Sequence, residues 1–235
     1  MNREHVNTAE IVGRLGQDPD LKRTEDGTAY VKLSIATSER FTDRGGSIHE
    51  KTEWHNGIAW GKTAEDVAAE FKKGESVALS GSLRINSYEK DGVKNRVTEI
   101  TVDQARKNLD NAPSKCETRL VGVVREEPKV LDLGEGKQLT VVSVATKSVV
   151  NGREREDWHS VNLWGKTADA ARDIKPGDTI AVNGSLRHRS IPGEEGQQRK
   201  LSAIECQKFQ VLERAQERSV APQIRKAGKN VDRGM

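Results

Sequence analysis

The chain is poor in aromatic residues: four Trp, two Tyr and three Phe in 235 residues. Cysteine is scarcer still. Cys116 and Cys206 form neither a CxxC pair nor a disulfide framework, so reduced thiols and a cytoplasmic setting are expected. No apolar run approaches the roughly 20 residues that cross a bilayer, so no membrane association is expected. The opening Met1-Asn2-Arg3-Glu4-His5 has no apolar stretch of the signal-peptide kind. A strong charge imbalance is missing too. Residues 1–110 carry 17 Lys/Arg and 19 Asp/Glu, residues 111–213 carry 16 and 15, and residues 214–235 carry 6 and 2. The net charge of +3 therefore belongs to the tail, and charge alone does not point to a polyanionic partner.

The few aromatics present are placed with a pattern. All four tryptophans lie in two related segments, Thr52-Glu53-Trp54-His55-Asn56-Gly57-Ile58-Ala59-Trp60-Gly61-Lys62-Thr63-Ala64 and Glu156-Asp157-Trp158-His159-Ser160-Val161-Asn162-Leu163-Trp164-Gly165-Lys166-Thr167-Ala168. In a strand, alternate residues face opposite sides. Val161 and Leu163 then make a core face, and Trp158, Ser160, Asn162 and Trp164 share the other. The first copy is less clean, since Ile58 shares a face with Trp54, Asn56 and Trp60. A single tryptophan is most often a core or interface residue. Two pairs at the same six-residue step on a polar face instead predict stacking platforms at the surface.

The rest of the chain repeats with them. Gly122 follows Gly13 by 109 residues, as Pro128 follows Pro19 and Ala145-Thr146 follows Ala36-Thr37. The tryptophans follow by 104, and Gly184-Ser185-Leu186-Arg187 follows Gly81-Ser82-Leu83-Arg84 by 103. The falling offset places one deletion in a loop and another at a helix, in a tandem duplication.

Each unit reads as strand, strand, strand, helix, strand, strand. In the first these are Thr8–Leu15, Tyr30–Thr37 with Val31, Leu33 and Ile35 alternating inward, the tryptophan strand, a helix with Ala64, Val67, Ala68 and Phe71 on one side, Val77–Arg84 and Val97–Val102. Thr63 is the expected helix N-cap, with Gly74 past its end. Residues 38–51, polar and with Gly45-Gly46, are expected to form a flexible loop, and Asp91-Gly92 a hairpin turn. The expected fold class is all-β with one short helix per repeat, as two tandem five-stranded OB-fold barrels. The expected boundaries are residues 1–105 for the first domain, 106–116 for a linker, 117–213 for the second domain and 214–235 for a basic, disordered tail.

With these residues in view, the chain resembles the bacterial single-stranded DNA-binding protein (SSB) family. Gly13-Arg14-Leu15-Gly16-Gln17-Asp18-Pro19, Ala36-Thr37-Ser38-Glu39, Thr52-Glu53-Trp54-His55 with Gly61-Lys62, and Gly81-Ser82-Leu83-Arg84 carry the likeness across most of residues 8–102. The resemblance implies sequence-independent binding of single-stranded DNA in replication, recombination and repair, by stacking bases on four aromatic positions per domain. Phe41, Trp54, Trp60 and Tyr88 occupy them in the first repeat. In the second, Trp158 and Trp164 match while Val150 and Ile191 stand at the loop positions, so weaker binding is expected there. Lys62, Arg84, Lys166 and Arg187, at equivalent places in the two repeats, are expected to contact phosphates, and His55 and His159 to lie near a subunit interface.

By analogy with tandem-domain members, a homodimer with four OB-folds is expected. The tail departs from the family: it is basic and has no acidic, phenylalanine-tipped end, so recruitment of partner enzymes by that route is not expected.

The competing reading is a primosome-like or recombination-accessory adaptor, with one DNA-binding and one protein-binding OB-fold. An enzyme is not expected, nor a cofactor or metal. The histidines belong to no ligand set, and Gly61-Lys62-Thr63 lacks a phosphate-loop context because only three residues separate Gly57 from Gly61.

Overall fold

A computed structural model describes residues 5–215 except 44, 91–92, 109–111, 135, 151 and 193–197, with the backbone alone at 88–90, 93–95, 191–192 and 198–199. The first repeat is β1 (Val6–Leu15), β2 (Leu21–Arg23), β3 (Ala29–Thr42), β4 (Ile48–Trp60), α1 (Gly61–Glu70), β5 (Ser76–Lys90) and β6 (Val93–Lys107). The second is β7 (Lys115–Val124), β8 (Lys129–Asp132), β9 (Gln138–Val150), β10 (Arg153–Trp164), α2 (Lys166–Ala170), β11 (Thr179–Pro192) and β12 (Gln198–Glu213). The middle of the expected linker and the tail from residue 216 on lie outside the described residues.

The alternation read in the sequence becomes burial. Val31, Leu33 and Ile35 face the barrel interior with Ile11, Leu79, Leu83, Ile100 and Val102, and α1 closes one end through Ala64, Val67 and Phe71. Closure comes from β1, which pairs with β5 from Ala9↔Gly81 to Arg14↔Ser76 and with β3 through Arg14↔Ala36 and Leu15↔Ile35. Glycine is required where β5 crosses to β6. A Cβ on Gly81 would lie 1.9 Å from the Thr101 carbonyl oxygen, and one on Gly184 2.4 Å from that of Glu205. The ladder slips its register at both places, so each is a bulge that turns the barrel wall.

Three expectations change. Residues 38–51 are mostly strand: β3 and β4 stay paired from Ser38↔Thr52 out to Thr42↔Ile48. The hairpin projects beyond the barrel, both of its faces meet water, and the inside–outside alternation that marks a strand is therefore lost. Its turn is closed by Asp43, whose carboxylate accepts the amides of Gly45 (2.8 Å) and Ser47 (2.9 Å). Short strands β2 and β8 precede the second long strand of each repeat, unmarked in the sequence because all their residues are exposed. Thr63 lies inside α1; Trp60 holds the N-cap position without a side-chain cap.

The two barrels join edge to edge. β1 and β7 pair antiparallel from Val6↔Val121 to Val12↔Lys115. Ala9 faces Thr118, which is its own equivalent at the 109-residue offset, so a local two-fold axis passes through that pair. The chain thus makes within itself the isologous contact that two identical subunits make about a two-fold axis.

Candidate nucleic-acid interface

Along β4 the faces separate as the pattern implies. Glu53, His55, Gly57 and Ala59 are buried, while Trp54 and Trp60 are 54% and 42% exposed. Gly16, at the end of β1, leaves room for the Trp54 ring: a Cβ there would fall 2.4 Å from the indole. Tyr30 tilts against Trp60 with ring centres 5.4 Å apart. Phe41 is exposed on the projecting hairpin and stacks on His49 at the same distance. Ile58 and Trp60 wall a groove of about 990 Å³, whose far side is Val150 and Arg155 of the second repeat. Tyr88 lies on β5 opposite Asn95. Its side chain, like that of Ile191, is outside the described residues.

On β10, Trp158 is exposed and Trp164 half-buried. Both indoles donate to carboxylates, Trp158 to Glu156 at 2.6 Å and Trp164 to Glu205. Arg125 pairs with Glu156, and Arg189 with Glu205 at 2.9 Å. The Arg189 guanidinium also lies over the Trp164 ring, 5.5 Å from its centre. The second repeat therefore has two tethered tryptophans, and one of them is covered.

Lys62 and Lys166 are exposed beside the second tryptophan of each pair, with Lys62 bridging to Asp66 across one helical turn at 2.8 Å. Such a surface pair is worth little and leaves the ammonium free to change partner.

Arg84 and Arg187 are placed differently from the sequence expectation. Both turn inward and cross between repeats, Arg84 to Asp157 at 2.9 Å and to the Ser148 hydroxyl at 2.7 Å, Arg187 to Glu53 at 2.7 Å. Each acid also accepts the amide after the arginine: Ile85 to Asp157 at 3.2 Å, His188 to Glu53 at 2.8 Å. Glu53 and Asp157 are equivalent residues, so the structure carries one lock twice, related by the local two-fold axis. Burial raises both carboxyls, but the hydrogen bonds and arginine charges outweigh it and hold them below the usual carboxylate range.

His55 and His159 are buried, and each Nε2 meets an equivalent threonine, Thr37 or Thr146, at 2.9 Å. The His55 ring lies 5.3 Å from His188, so it sits at the boundary between repeats. Burial pushes His55 and His159 down to about 4. An unfolded histidine takes up a proton near pH 6.5, whereas these folded ones stay neutral until about pH 4. The unfolded state then binds more protons within that window, so stability is full above it and falls as pH drops through it. A melting temperature that declines from pH 6.5 to 4, with a shallower decline in His159→Gln, is the expected outcome. An unchanged melting temperature across the window would refute the neutral buried state.

Two further cations, Arg96 and Lys200, join the residues expected from the sequence. Both line an apolar groove of about 490 Å³ that runs between the repeats to Trp158. They occupy equivalent places 104 residues apart, and a cation repeated at that offset was the signal available.

Two β-barrels joined edge to edge, each with a tryptophan pair on one outer strand face, define a tandem OB-fold protein of all-β class. Residues 6–107 and 117–212 match the model of the Single-strand binding protein family, and the chain belongs to that family. Among its relatives, Single-stranded DNA-binding protein 1 of Chlorobaculum tepidum is 40% identical over 97 residues, 40% of this chain and 60% of that protein. Single-stranded DNA-binding protein of Thermus aquaticus is 24% identical over 249 residues, 98% of this chain and 94% of that one. The crystal structure of the wild-type Thermus aquaticus protein has the same fold, with a TM-score of 0.74 at 23% identity over 91% of this chain and 96% of that one.

Proposed function

We infer that this protein binds single-stranded DNA without regard to sequence, and that it coats and protects it in the cytoplasm during replication, recombination and repair, without catalysis. The observation that carries the reading is the exposure of Trp54 and Trp60 on one face of β4, with Trp60 beside a groove of about 990 Å³. Every base offers a π-face, so stacking tolerates any sequence, and basic side chains along the rim follow the backbone. Phe41, Trp54, Trp60, Tyr88, Trp158 and Trp164 are the proposed stacking residues, with Lys62, Lys166, Arg96 and Lys200 on phosphates. Arg84 and Arg187 are left out because their charges are committed between the repeats. Two such chains would assemble four OB-folds, as a homodimer.

Because all four tryptophans lie on the proposed platforms, intrinsic fluorescence reports on binding directly. Titration with oligo(dT) is expected to quench it strongly. The logarithm of affinity should fall linearly with the logarithm of salt concentration, with a slope of about −0.7 per phosphate contact. Unquenched tryptophans at saturating oligo(dT) would overturn the reading. A monomeric mass in solution would remove the homodimer.

The adaptor reading, with the second barrel binding protein, draws support from the tethering of Trp158 and Trp164. It would take precedence if quenching were confined to the first repeat even on long strands.

A further inference from the structure

Besides the loop aromatics, four positions around the tryptophans are uncharged in the first repeat and charged in the second, and they fall into two pairs. Gly16 and Arg125 are equivalent, since their amides bond to the equivalent carbonyls of Ser34 and Ser143. Thr52 corresponds to Glu156 by the tryptophan offset, and Asn86 to Arg189 by that of the Gly-Ser-Leu-Arg run. Thr101 corresponds to Glu205, each preceding the residue opposite the bulge glycine. The first repeat has no charge at any of these positions, while the second has two Arg–Glu pairs.

Glu156, paired with Arg125, accepts the Trp158 indole N–H and leaves the ring exposed. Arg189 with Glu205 acts otherwise. Glu205 accepts the Trp164 indole N–H, the Asn162 amide at 3.1 Å and the Arg189 guanidinium at 2.9 Å, and that guanidinium lies over the ring. A cation within about 6 Å of a ring centre occupies the face on which a base would stack.

We propose that Arg189 and Glu205 form a latch on the second platform: a base reaches Trp164 only by displacing Arg189, so a strand engages the first repeat first and the second afterwards. The proposal rests on the single-strand reading above. The displaced guanidinium stays on the groove rim, where the phosphate of the incoming nucleotide replaces Glu205 as its partner. A strand already held by the first repeat presents its next nucleotides at high effective concentration, and this is what opens the latch. Short strands, which occupy one platform, leave it closed.

The test uses the full chain with Trp54→Phe, Trp60→Phe and Trp158→Phe, so that Trp164 is the sole indole and the other positions still stack. Two alterations are compared with this parent. Arg189→Asn with Glu205→Thr installs the residues of the first repeat and leaves the net charge unchanged. Glu205→Gln is isosteric and removes only the carboxylate charge.

Without DNA, acrylamide should quench Trp164 more steeply in both. With oligo(dT) of about 8 nucleotides, a length within one OB-fold's site, the parent should show little Trp164 quenching, and both alterations should raise the apparent affinity about tenfold. With about 30 nucleotides all three should be quenched. Unchanged acrylamide quenching, or weaker binding of the short strand in either altered chain, would overturn the latch. A second reporter, with Trp158→Phe and Trp164→Phe, reads the first repeat. If its tryptophans are not quenched by the long strand, the single-strand reading itself fails; if they are quenched while Trp164 ignores both alterations, the latch alone fails.

Discussion

Replacing Trp54 and Trp60 together by alanine should weaken binding to oligo(dT) by roughly 30-fold to 20,000-fold, since each stacked base contributes about 1–3 kcal/mol. Both side chains are about half exposed and neither belongs to the core, so the melting temperature should stay near that of the parent. The same change at Trp158 and Trp164 should have a smaller effect on short strands, because Trp164 is already covered by Arg189. Titration of the two double variants against the parent, read by anisotropy of labelled oligo(dT), compares the platforms directly. If the second pair proves the costlier to lose on short strands, the assignment of the first repeat as primary platform is wrong.

Asp157→Ala is expected to destabilise the fold by about 3–5 kcal/mol, the range for removing one member of a buried ion pair. Asp157 is 2% exposed at its side chain and Arg84 15%. The deletion leaves Arg84 buried without its anion, and the Ile85 amide without its acceptor. Glu53→Ala should cost less, because Arg187 keeps its pair with Glu39, although the His188 amide loses its acceptor.

Arg84→Ala separates the structural role from the one expected in the sequence reading. If Arg84 locks the repeats, the denaturation midpoint falls and the salt slope of DNA binding is kept. If it contacts phosphate, stability is kept and the slope loses about 0.7, one single-strand phosphate contact. Equilibrium denaturation and salt-dependent titration of the same variant settle the matter.

How much of this was legible depends on whether the physical signal is local. Val31, Leu33 and Ile35 alternate because one side of a strand meets oil and the other water, and the barrel wall could be read from them. Residues 38–51 carry no such contrast, because a hairpin that leaves the barrel meets water on both faces. Period two alone separated the tryptophan faces in the second repeat, while in the first Ile58 shares the face of Trp54 and Trp60. The partners of Arg84 and Arg187 lie 73 and 134 residues away, across a contact that exists only once the barrels are joined, and nothing in the flanking residues marks them.

The sequence by itself determined the duplication, the order of the five long strands and the helix in each repeat, the outward tryptophans of the second repeat and the replacement of two loop aromatics there, because periodicity and repetition are properties of the chain. Only the tertiary structure decided what the charges do. Charge carries no periodic signature, and an arginine reads the same whether it ends in water, on a phosphate, over an indole or against a buried carboxylate. Pairing β1 with β7 about a local two-fold axis brings Glu53 to Arg187 and Asp157 to Arg84, while the wall of the second barrel brings Glu205 and Arg189 to Trp164. These approaches place two arginines expected on phosphates in ion pairs between the repeats, and lay a third arginine over one expected stacking residue.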